Sequence, residues 1–239
     1  MIGTSRCAEF RTAEGRKTAV LNLLKYEIDR LVCIGGDGSL TGANTLQSEW
    51  STHTKALYEA KLITEEVYNQ HPRLIVVGMV GSIDNDFCGT DMTIGADSAL
   101  HRSVEAIDAV MTTASSHQRT FVIEVMGRNC GFLAMGAAVA IGADFVFIPE
   151  APPTKDEWQD KMVRAITRGR DLGRRHSIVV VAEGAKDDSG EAISSEQVKC
   201  VIEKRLNLDT RVTILGHVQR GGTPSFYDRY ISTIMGVDA

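Results

Sequence analysis

The sequence predicts an α/β protein with a mostly parallel, doubly wound sheet. Strand-like apolar runs alternate with amphipathic helical runs along the 239 residues, and this alternation is typical of parallel sheets covered by helices. Gly-rich turns follow several of the apolar runs, as in folds that bind ligands at the carboxyl ends of their strands. Hydrophobic residues make up 43% of the chain, which is enough for one large core or two smaller ones.

The elements follow from the period of the apolar residues. Six strands are predicted, near residues 30–35, 74–80, 120–126, 144–148, 177–183 and 211–216. Helices are predicted between them, at 39–59, 97–117, 130–142, 156–175 and 195–206. Ser39 is placed to cap the first helix. The second helix has the clearest apolar face, which consists of Leu100, Val104, Ile107 and Met111.

The composition argues against several classes of protein. A net charge of −5 and a pI of about 5.7 leave no basic excess for nucleic acid. The five cysteines form no Cys-x-x-Cys pair, so neither a zinc site nor a disulfide framework is indicated, and a cytoplasmic protein with reduced thiols is expected. Without a leader or an apolar run of about 18 residues, we expect no membrane segment. The sequence starts abruptly at Met1 without a strand-plus-glycine unit, and its carboxyl end stops within an apolar pattern, so we expect the full protein to extend beyond both ends.

The first chemical motif is Gly35-Gly-Asp-Gly-Ser39, at the end of the first predicted strand. Glycines let a backbone approach phosphate groups, and the start of the following helix attracts anions. Asp37 would then hold a phosphate-bound Mg²⁺, which prefers oxygen ligands. The alternative is a tight strand-to-helix turn in which Asp37 only caps the helix.

The second motif, Ser82-Ile-Asp-Asn-Asp86, is more specific because it places two carboxylates around one amide. Asp84 could accept a proton from a sugar hydroxyl group. Asp86 could serve a metal ion or hold Asp84 in place. The alternative is an Asx-rich turn without chemistry, which Asn and Asp form readily.

Arginines recur beside Gly-rich turns, and this recurrence suggests a phosphorylated substrate. The arginines concerned are Arg119, Arg128, Arg211 and Arg220. Any one of them alone would more often be a solvated surface charge, and His217 alone would more often be a structural histidine. Glu183 ends an apolar strand, where it could bind sugar hydroxyl groups or cap the next turn.

These motifs, in this order, resemble the 6-phosphofructokinases over nearly the whole chain, from Ser5-Arg-Cys7 to Met235-Gly236. The sequences of the motifs are similar to those in the amino-terminal, catalytic half of the animal-type enzyme. The resemblance implies the phosphofructokinase fold, with two Rossmann-like lobes. Residues 1–95, completed by 224–239, would form the nucleotide-binding lobe, and residues 96–223 the sugar-phosphate-binding lobe.

The resemblance also implies a role for each motif. The ATP site would include Arg6, Cys7, Gly36, Asp37, Gly38 and Ser39, with Asp37 as the Mg²⁺ ligand. The fructose 6-phosphate site would include Ser82, Ile83, Asp84, Met126, Gly127, Arg128, Glu183, His217 and Arg220. Asp84 would be the proton acceptor and Arg128 the stabiliser of the transferring phosphoryl group. Arg119 and Arg211 would reach the substrate phosphate of a neighbouring subunit in a homo-oligomer, expected to be a tetramer.

The implied activity is phosphoryl transfer from ATP to fructose 6-phosphate in glycolysis, with no nucleic-acid or membrane partner. A pyrophosphate-dependent enzyme is disfavoured by Gly38, because an acid usually stands at that position in those relatives. A similar Gly-Gly-Asp-Gly occurs in NAD and lipid kinases, but these would leave the arginines unexplained. A regulatory fragment that binds sugar phosphate without chemistry is the alternative outside enzymes. It stays open because the Gly-rich ATP loop that precedes Arg6 in the family is not in this sequence, so an incomplete ATP pocket is expected.

Overall fold

The computed structural model describes residues 5–239, which form two compact units. The first unit comprises residues 5–81 together with Met235–Ala239, and the second comprises Ser82–Ile234. The units therefore divide after Gly81 and before Met235, whereas the sequence predicted lobe boundaries after 95 and before 224. Residues 1–4 of the predicted nucleotide-binding lobe lie outside the described residues. The functions assigned to the two lobes stay predictions.

The described part of the first unit contains a parallel strand pair, three α-helices and a 3₁₀ helix at Glu9–Arg11. The strands and α-helices are, in chain order, α1 (Ala13–Lys25), β1 (Arg30–Gly35), α2 (Asp37–Glu59), α3 (Glu65–Gln70) and β2 (Ile75–Ser82), whose last residue belongs to the second unit. The register of the strand pair runs from Arg30↔Ile75 to Gly35↔Val80. The core consists of Val20, Leu24, Leu46, Trp50, Leu57 and Leu74. The face of β1 that points away from this core is exposed to solvent, since Ile34 is 64% exposed.

The second unit holds most of the regular structure. Its elements are β3 (Ile94–Gly95), α4 (Ala96–His117), β4 (Thr120–Val125), α5 (Phe132–Ile141), β5 (Phe145–Phe147), α6 (Trp158–Asp171), β6 (Ser177–Ala182), α7 (Ser195–Leu206), β7 (Thr210–Ile214), a 3₁₀ helix (Gly216–Arg220) and most of α8 (Phe226–Asp238). Four strands form a parallel sheet in the order β5-β6-β4-β7.

This four-stranded sheet is covered on both faces, because helices pack on each side of it. All six residues of β6 are buried. Alternate side chains of a strand point to opposite faces. Accordingly Ile178 and Val180 pack in a cluster with residues of α4 and α5, while Val179 and Val181 pack with residues of α6 and α7. A near-continuous apolar strand is the expected sequence for a parallel sheet buried on both faces.

The structure confirms the six predicted strands and the five predicted helices. It contradicts the predicted cap at Ser39. The helix begins two residues earlier at Asp37, its N-cap is Gly36 with an extended backbone, and Ser39 lies within the first turn. The α4 face predicted from Leu100, Val104, Ile107 and Met111 does pack against the core, although only Ile107 of the four is fully buried.

Candidate active site

The Asp84 carboxyl group lies in a turn that is held by its own hydrogen bonds. The backbone N–H of Asp84 donates to the Ser82 hydroxyl (3.2 Å), and this hydroxyl donates to the Asp86 carboxylate (3.0 Å). Asn85 adopts a left-handed conformation with φ of 52°, and its side-chain oxygen accepts from the Thr93 N–H at 2.9 Å. Asn tolerates this conformation better than most residues do. The turn is thus fixed through the backbone of Asp84, which leaves the carboxylate available for chemistry.

Burial raises the pKa of Asp84, and the negative charges of Asp86 and Glu183 raise it further. The positive charges of Arg220 and Arg128 act in the opposite direction. Residues from distant parts of the sequence therefore act on one carboxyl group. A carboxylate that has a raised proton affinity and lies among such groups is suited to act as a general base.

Arg128 lies on the loop after β4, and this loop is bonded to the turn after β6. The Glu183 N–H donates to the Val125 carbonyl (2.9 Å). The Gly184 N–H donates to the Gly127 carbonyl (3.3 Å). Both glycines are required here, because a Cβ on Gly184 would collide with the Arg128 backbone and Gly127 has φ of +126°. As a result Arg128 Nε lies 3.8 Å from Glu183 Oε1, while the Arg128 side chain is 84% exposed and free to reach a ligand.

His217 and Arg220 lie on the 3₁₀ helix that follows β7, and both are exposed. Between them Gln219 is buried, and its side-chain oxygen accepts from the Met126 N–H at 3.2 Å. Ile83 packs with Met126 against the core of the unit. These contacts tie the 3₁₀ helix to the loop that bears Arg128.

The structure thus places most of the predicted fructose 6-phosphate residues at or directly after the carboxyl ends of β2, β4, β6 and β7. They are Ser82, Ile83, Asp84, Met126, Gly127, Arg128, Glu183, His217 and Arg220. Carboxylates, exposed arginines and a histidine in this arrangement can bind a phosphate and hydroxyl groups together. Their individual roles stay predictions.

Arg119 and Arg211 lie at the opposite, amino-end edge of the same sheet. Arg119 immediately precedes β4, and Arg211 is the second residue of β7. The Asp209 carboxylate joins them, at 2.7 Å from Arg119 Nε and 3.1 Å from Arg211 Nη2, and the Arg119 bond lowers the pKa of Asp209. The six residues of β4 at about 3.3 Å each separate the two edges by roughly 20 Å. One copy of this unit therefore does not bring all the arginines to one phosphate group.

The Gly36–Ser39 turn lies in the first unit, where α2 begins. Asp37 is exposed, and its carboxylate accepts from the Thr41 hydroxyl at 3.4 Å. Gly38 leaves open space, because a Cβ there would meet no atom within 4 Å. Helix N-termini attract anions. Arg6 and Cys7 are also exposed, and their part in an ATP site stays a prediction.

The fit of Mg²⁺ to Asp37 can be judged from the donor set. Mg²⁺ is usually held by one or two carboxylates, with phosphate oxygens and waters completing the shell. Asp37 offers one exposed carboxylate. Within residues 5–239 no cluster of three or more His, Cys, Asp or Glu side chains could hold a metal ion by itself. Asp37 therefore fits a Mg²⁺ ion that arrives with a phosphate ligand, rather than a resident metal.

Three residues with evident structural roles were missed by the sequence analysis: Gln219, Asp209 and Asp228. Asp228 is 3% exposed, and its carboxylate accepts from the N–H groups of Gly95 and Ser98 at 2.8 Å each. It thereby holds the start of α4. Asp209 could have been noticed as an acid beside Arg211, but nothing local in the sequence marks Gln219 or Asp228.

Among the helices that the described residues form, none is both long and apolar enough to cross a membrane.

Comparison with known proteins shows similarity to phosphofructokinases. The family model described as Phosphofructokinase matches residues 1–239. The muscle-type ATP-dependent 6-phosphofructokinase of Homo sapiens is 56% identical over 239 residues, which are all of this chain and 30% of the human protein. The chain thus spans about 30% of the length of the curated relatives that it matches.

Solved structures show the same fold. Phosphofructokinase from Saccharomyces cerevisiae is 51% identical with a TM-score of 0.97, and the match covers all of this chain and 31% of the yeast chain. Pichia pastoris phosphofructokinase in the T-state is also 51% identical, with a TM-score of 0.89 over 99% of this chain and 24% of that chain. The α/β fold predicted from the sequence is confirmed.

Proposed function

Because this chain belongs to the phosphofructokinase family, we propose that the protein carrying it transfers the γ-phosphoryl group of MgATP to the 1-hydroxyl group of fructose 6-phosphate. The products are fructose 1,6-bisphosphate and ADP. The protein acts in glycolysis in the cytoplasm as an allosteric, homotetrameric enzyme. The observation that carries this proposal is the set of charges around Asp84, which combines two further carboxylates with Arg128 and Arg220.

In this proposal Asp84 accepts the proton of the 1-hydroxyl group as the oxygen attacks. The raised pKa of Asp84 increases its affinity for that proton, and the half-buried site limits competition from water. The exposed guanidinium group of Arg128 offsets charge that develops on the transferring phosphoryl group. Glu183 accepts hydrogen bonds from sugar hydroxyl groups.

The 6-phosphate is bound by His217 and Arg220 from the 3₁₀ helix. Arg119 and Arg211 reach the same phosphate from a neighbouring subunit. The distance between the two edges of the sheet supports this sharing, because a second copy is needed to complete the cluster.

The nucleotide is held in the first unit by Arg6, Cys7 and the Gly36–Ser39 turn, and Asp37 holds its Mg²⁺. Bound Mg²⁺ neutralises charge on the phosphates of ATP. The open space at Gly38 supports ATP as the donor, since it leaves room for a phosphate group without a repelling side chain.

A coupled assay of the full-length protein, with fructose 6-phosphate as acceptor, tests the proposal. MgATP should support formation of fructose 1,6-bisphosphate, and pyrophosphate should not. Turnover with pyrophosphate alone would assign the protein to the other donor class. Binding of fructose 6-phosphate without turnover on either donor would assign it to the regulatory class.

A further inference from the structure

We propose that Gln219 is a positioning residue that holds the Arg128 loop in register with the 3₁₀ helix bearing His217 and Arg220. The proposal rests on the proposed function, because it assigns these two elements to the two ends of one substrate. It adds a residue that itself need not touch the substrate.

The Gln219 side chain bridges two elements that are far apart in sequence. The residue is 2% exposed. Its Oε1 accepts from the Met126 N–H at 3.2 Å, across 93 residues of sequence. It also accepts at 3.2 Å from the Ser103 hydroxyl, whose single proton is shared with the Ala99 carbonyl at 2.8 Å. Its Nε2 donates to the Gly216 carbonyl at 3.0 Å. The same side chain therefore contacts the base of the Arg128 loop, helix α4 and the first residue of the 3₁₀ helix.

Only a side chain with one acceptor and one donor satisfies both backbone groups. The Met126 N–H can only donate, so it requires an oxygen, and the Gly216 carbonyl can only accept, so it requires an N–H or O–H group. A backbone group that is buried without a partner costs roughly 1–3 kcal/mol. Gln219 thus fixes the distance between Met126 and Gly216 through a bond to each.

This distance matters because each element bears groups for a different part of the substrate. Arg128 stands two residues after Met126, and His217 directly follows Gly216. A rigid sugar phosphate must meet both sets at once. A shift of about 1 Å between the two sets would lower the rate up to about a hundredfold, as expected for misplaced catalytic groups.

The first test is Gln219→Met, which keeps the size of the side chain and removes its hydrogen bonds to Met126, Gly216 and Ser103. We expect kcat/KM for fructose 6-phosphate to fall by roughly 10-fold to 100-fold, while KM for ATP changes less than about twofold. Ser103→Ala is the matched control. It removes a donor to the same oxygen but leaves the bonds to Met126 and Gly216 intact, and it should change kcat/KM less than about threefold.

The second test is Gln219→Glu, and it stays informative if Gln219→Met fails to fold. A protonated carboxyl group can accept from Met126 and donate to Gly216, whereas a carboxylate can only accept. The kcat/KM of this variant, expressed relative to wild type at each pH, should therefore rise as the pH is lowered. A purely packing role would leave this ratio independent of pH.

A double-mutant cycle separates positioning from general support of the fold. If Gln219 acts through Arg128, the loss caused by Gln219→Met should be much smaller in an Arg128→Ala background. Additive losses would overturn the proposal. So would equal effects of Gln219→Met and Ser103→Ala, or a pH-independent ratio for Gln219→Glu. A wild-type protein without sugar-phosphate turnover would instead contradict the proposed function, and this outcome is recognised before any variant is measured.

Discussion

The turns that carry Asp84 and Asp37 differ in how much of their surroundings the chain supplies. The Asp84 turn is bonded internally through Ser82 and Asn85. Burial raises the pKa of its carboxyl group, and charges of both signs from the turn itself and from other elements act on it as well. Asp37 is an exposed residue at a helix start, with one long hydrogen bond from Thr41. The Asp84 turn is organised before any ligand binds, whereas the Asp37 turn offers one carboxylate and open space.

Both turns follow strands of the same sheet, β1 for Asp37 and β2 for Asp84, but the elements that supply charges to them differ in their packing. Every residue of β6 is buried, so the strand ends that carry Glu183 and its neighbours are fixed by packing on both faces. In β1 exposed and partly buried residues alternate, and Val32 and Ile34 are more than half exposed. The groups that act on the Asp84 carboxyl group therefore include one from a strand buried on both faces, whereas the Asp37 turn follows a strand with one exposed face.

The largest expected effect is at Asp84. Asp84→Asn in the full-length protein should lower kcat by roughly 10²-fold to 10⁴-fold with little change in fructose 6-phosphate binding, because only the general base is lost. A raised pKa means that the ionised carboxylate costs folding stability at neutral pH, so Tm should not fall. Kinetics, calorimetric binding and thermal unfolding together check this. Near-normal turnover would assign Asp84 to structure.

The next largest effect is expected at the amino-end edge of the four-stranded sheet, where Arg119 and Arg211 lie. Arg211→Ser should raise KM for fructose 6-phosphate by roughly tenfold or more, because a charge-assisted phosphate contact is lost. Asp209→Asn should give a smaller rise, since it only loosens the pair of arginines. In mixed oligomers a subunit lacking Asp84 and a subunit lacking Arg211 should restore activity. Oligomers that mix without regaining activity would rule out a shared site.

The Asp37 turn should respond to charge and not to size. Gly38→Asp should raise KM for ATP by about tenfold or more, because a carboxylate would repel the nucleotide phosphates. Tm should hardly move, since a Cβ there would meet no atom within 4 Å. Gly38→Ala is the matched control and should leave both quantities near wild type. Unchanged ATP kinetics in the Asp variant would place the nucleotide elsewhere.

The smallest expected effect lies in the first unit, away from both turns. Arg16 binds Glu49 through two hydrogen bonds of 2.6 and 2.9 Å, and with His53 it lowers the pKa of Glu49 to about 2. A lowered pKa contributes stability that is complete above about 4.5 and is lost as the pH falls through about 2. Glu49→Gln should therefore lower Tm slightly at pH 7. The difference from wild type should shrink in acid, and a difference that is constant with pH would contradict the assignment.

Much of this architecture could be predicted because its signals are local. Apolar runs such as those of β4 and β6 mark buried parallel strands, and the Asx-rich run at Asp84 marks a turn. Helices α1, α3 and α8 were not predicted, because α1 has only a weak apolar face, α3 is only six residues long, and the apolar pattern at the carboxyl end was not assigned to a helix. The cap at Ser39 was predicted wrongly because Gly36, which has no side chain to cap with, ends the extended segment three residues earlier.

The contacts that organise the site could not be read from the sequence. Gln219 lies 93 residues from Met126, and Asp209 lies 90 residues from Arg119. Neither contact has a periodic or motif signal, because each depends on which strands become neighbours in the sheet. The resemblance supplied the residues that are predicted to contact ligands, but not the residues that hold them in place.

The most direct test of the difference between the two turns is the pH dependence of kcat/KM for fructose 6-phosphate. Asp84 must be ionised to accept a proton, so activity should fall as the pH drops through its raised pKa. Removing a like charge lowers that pKa, and Asp86→Asn should therefore move the acid limb of the profile to lower pH. Asp37→Asn should weaken ATP use and leave the position of the limb unchanged. An acid limb that stays in place in Asp86→Asn, or that moves in Asp37→Asn, would contradict a base tuned by the charges of its own unit.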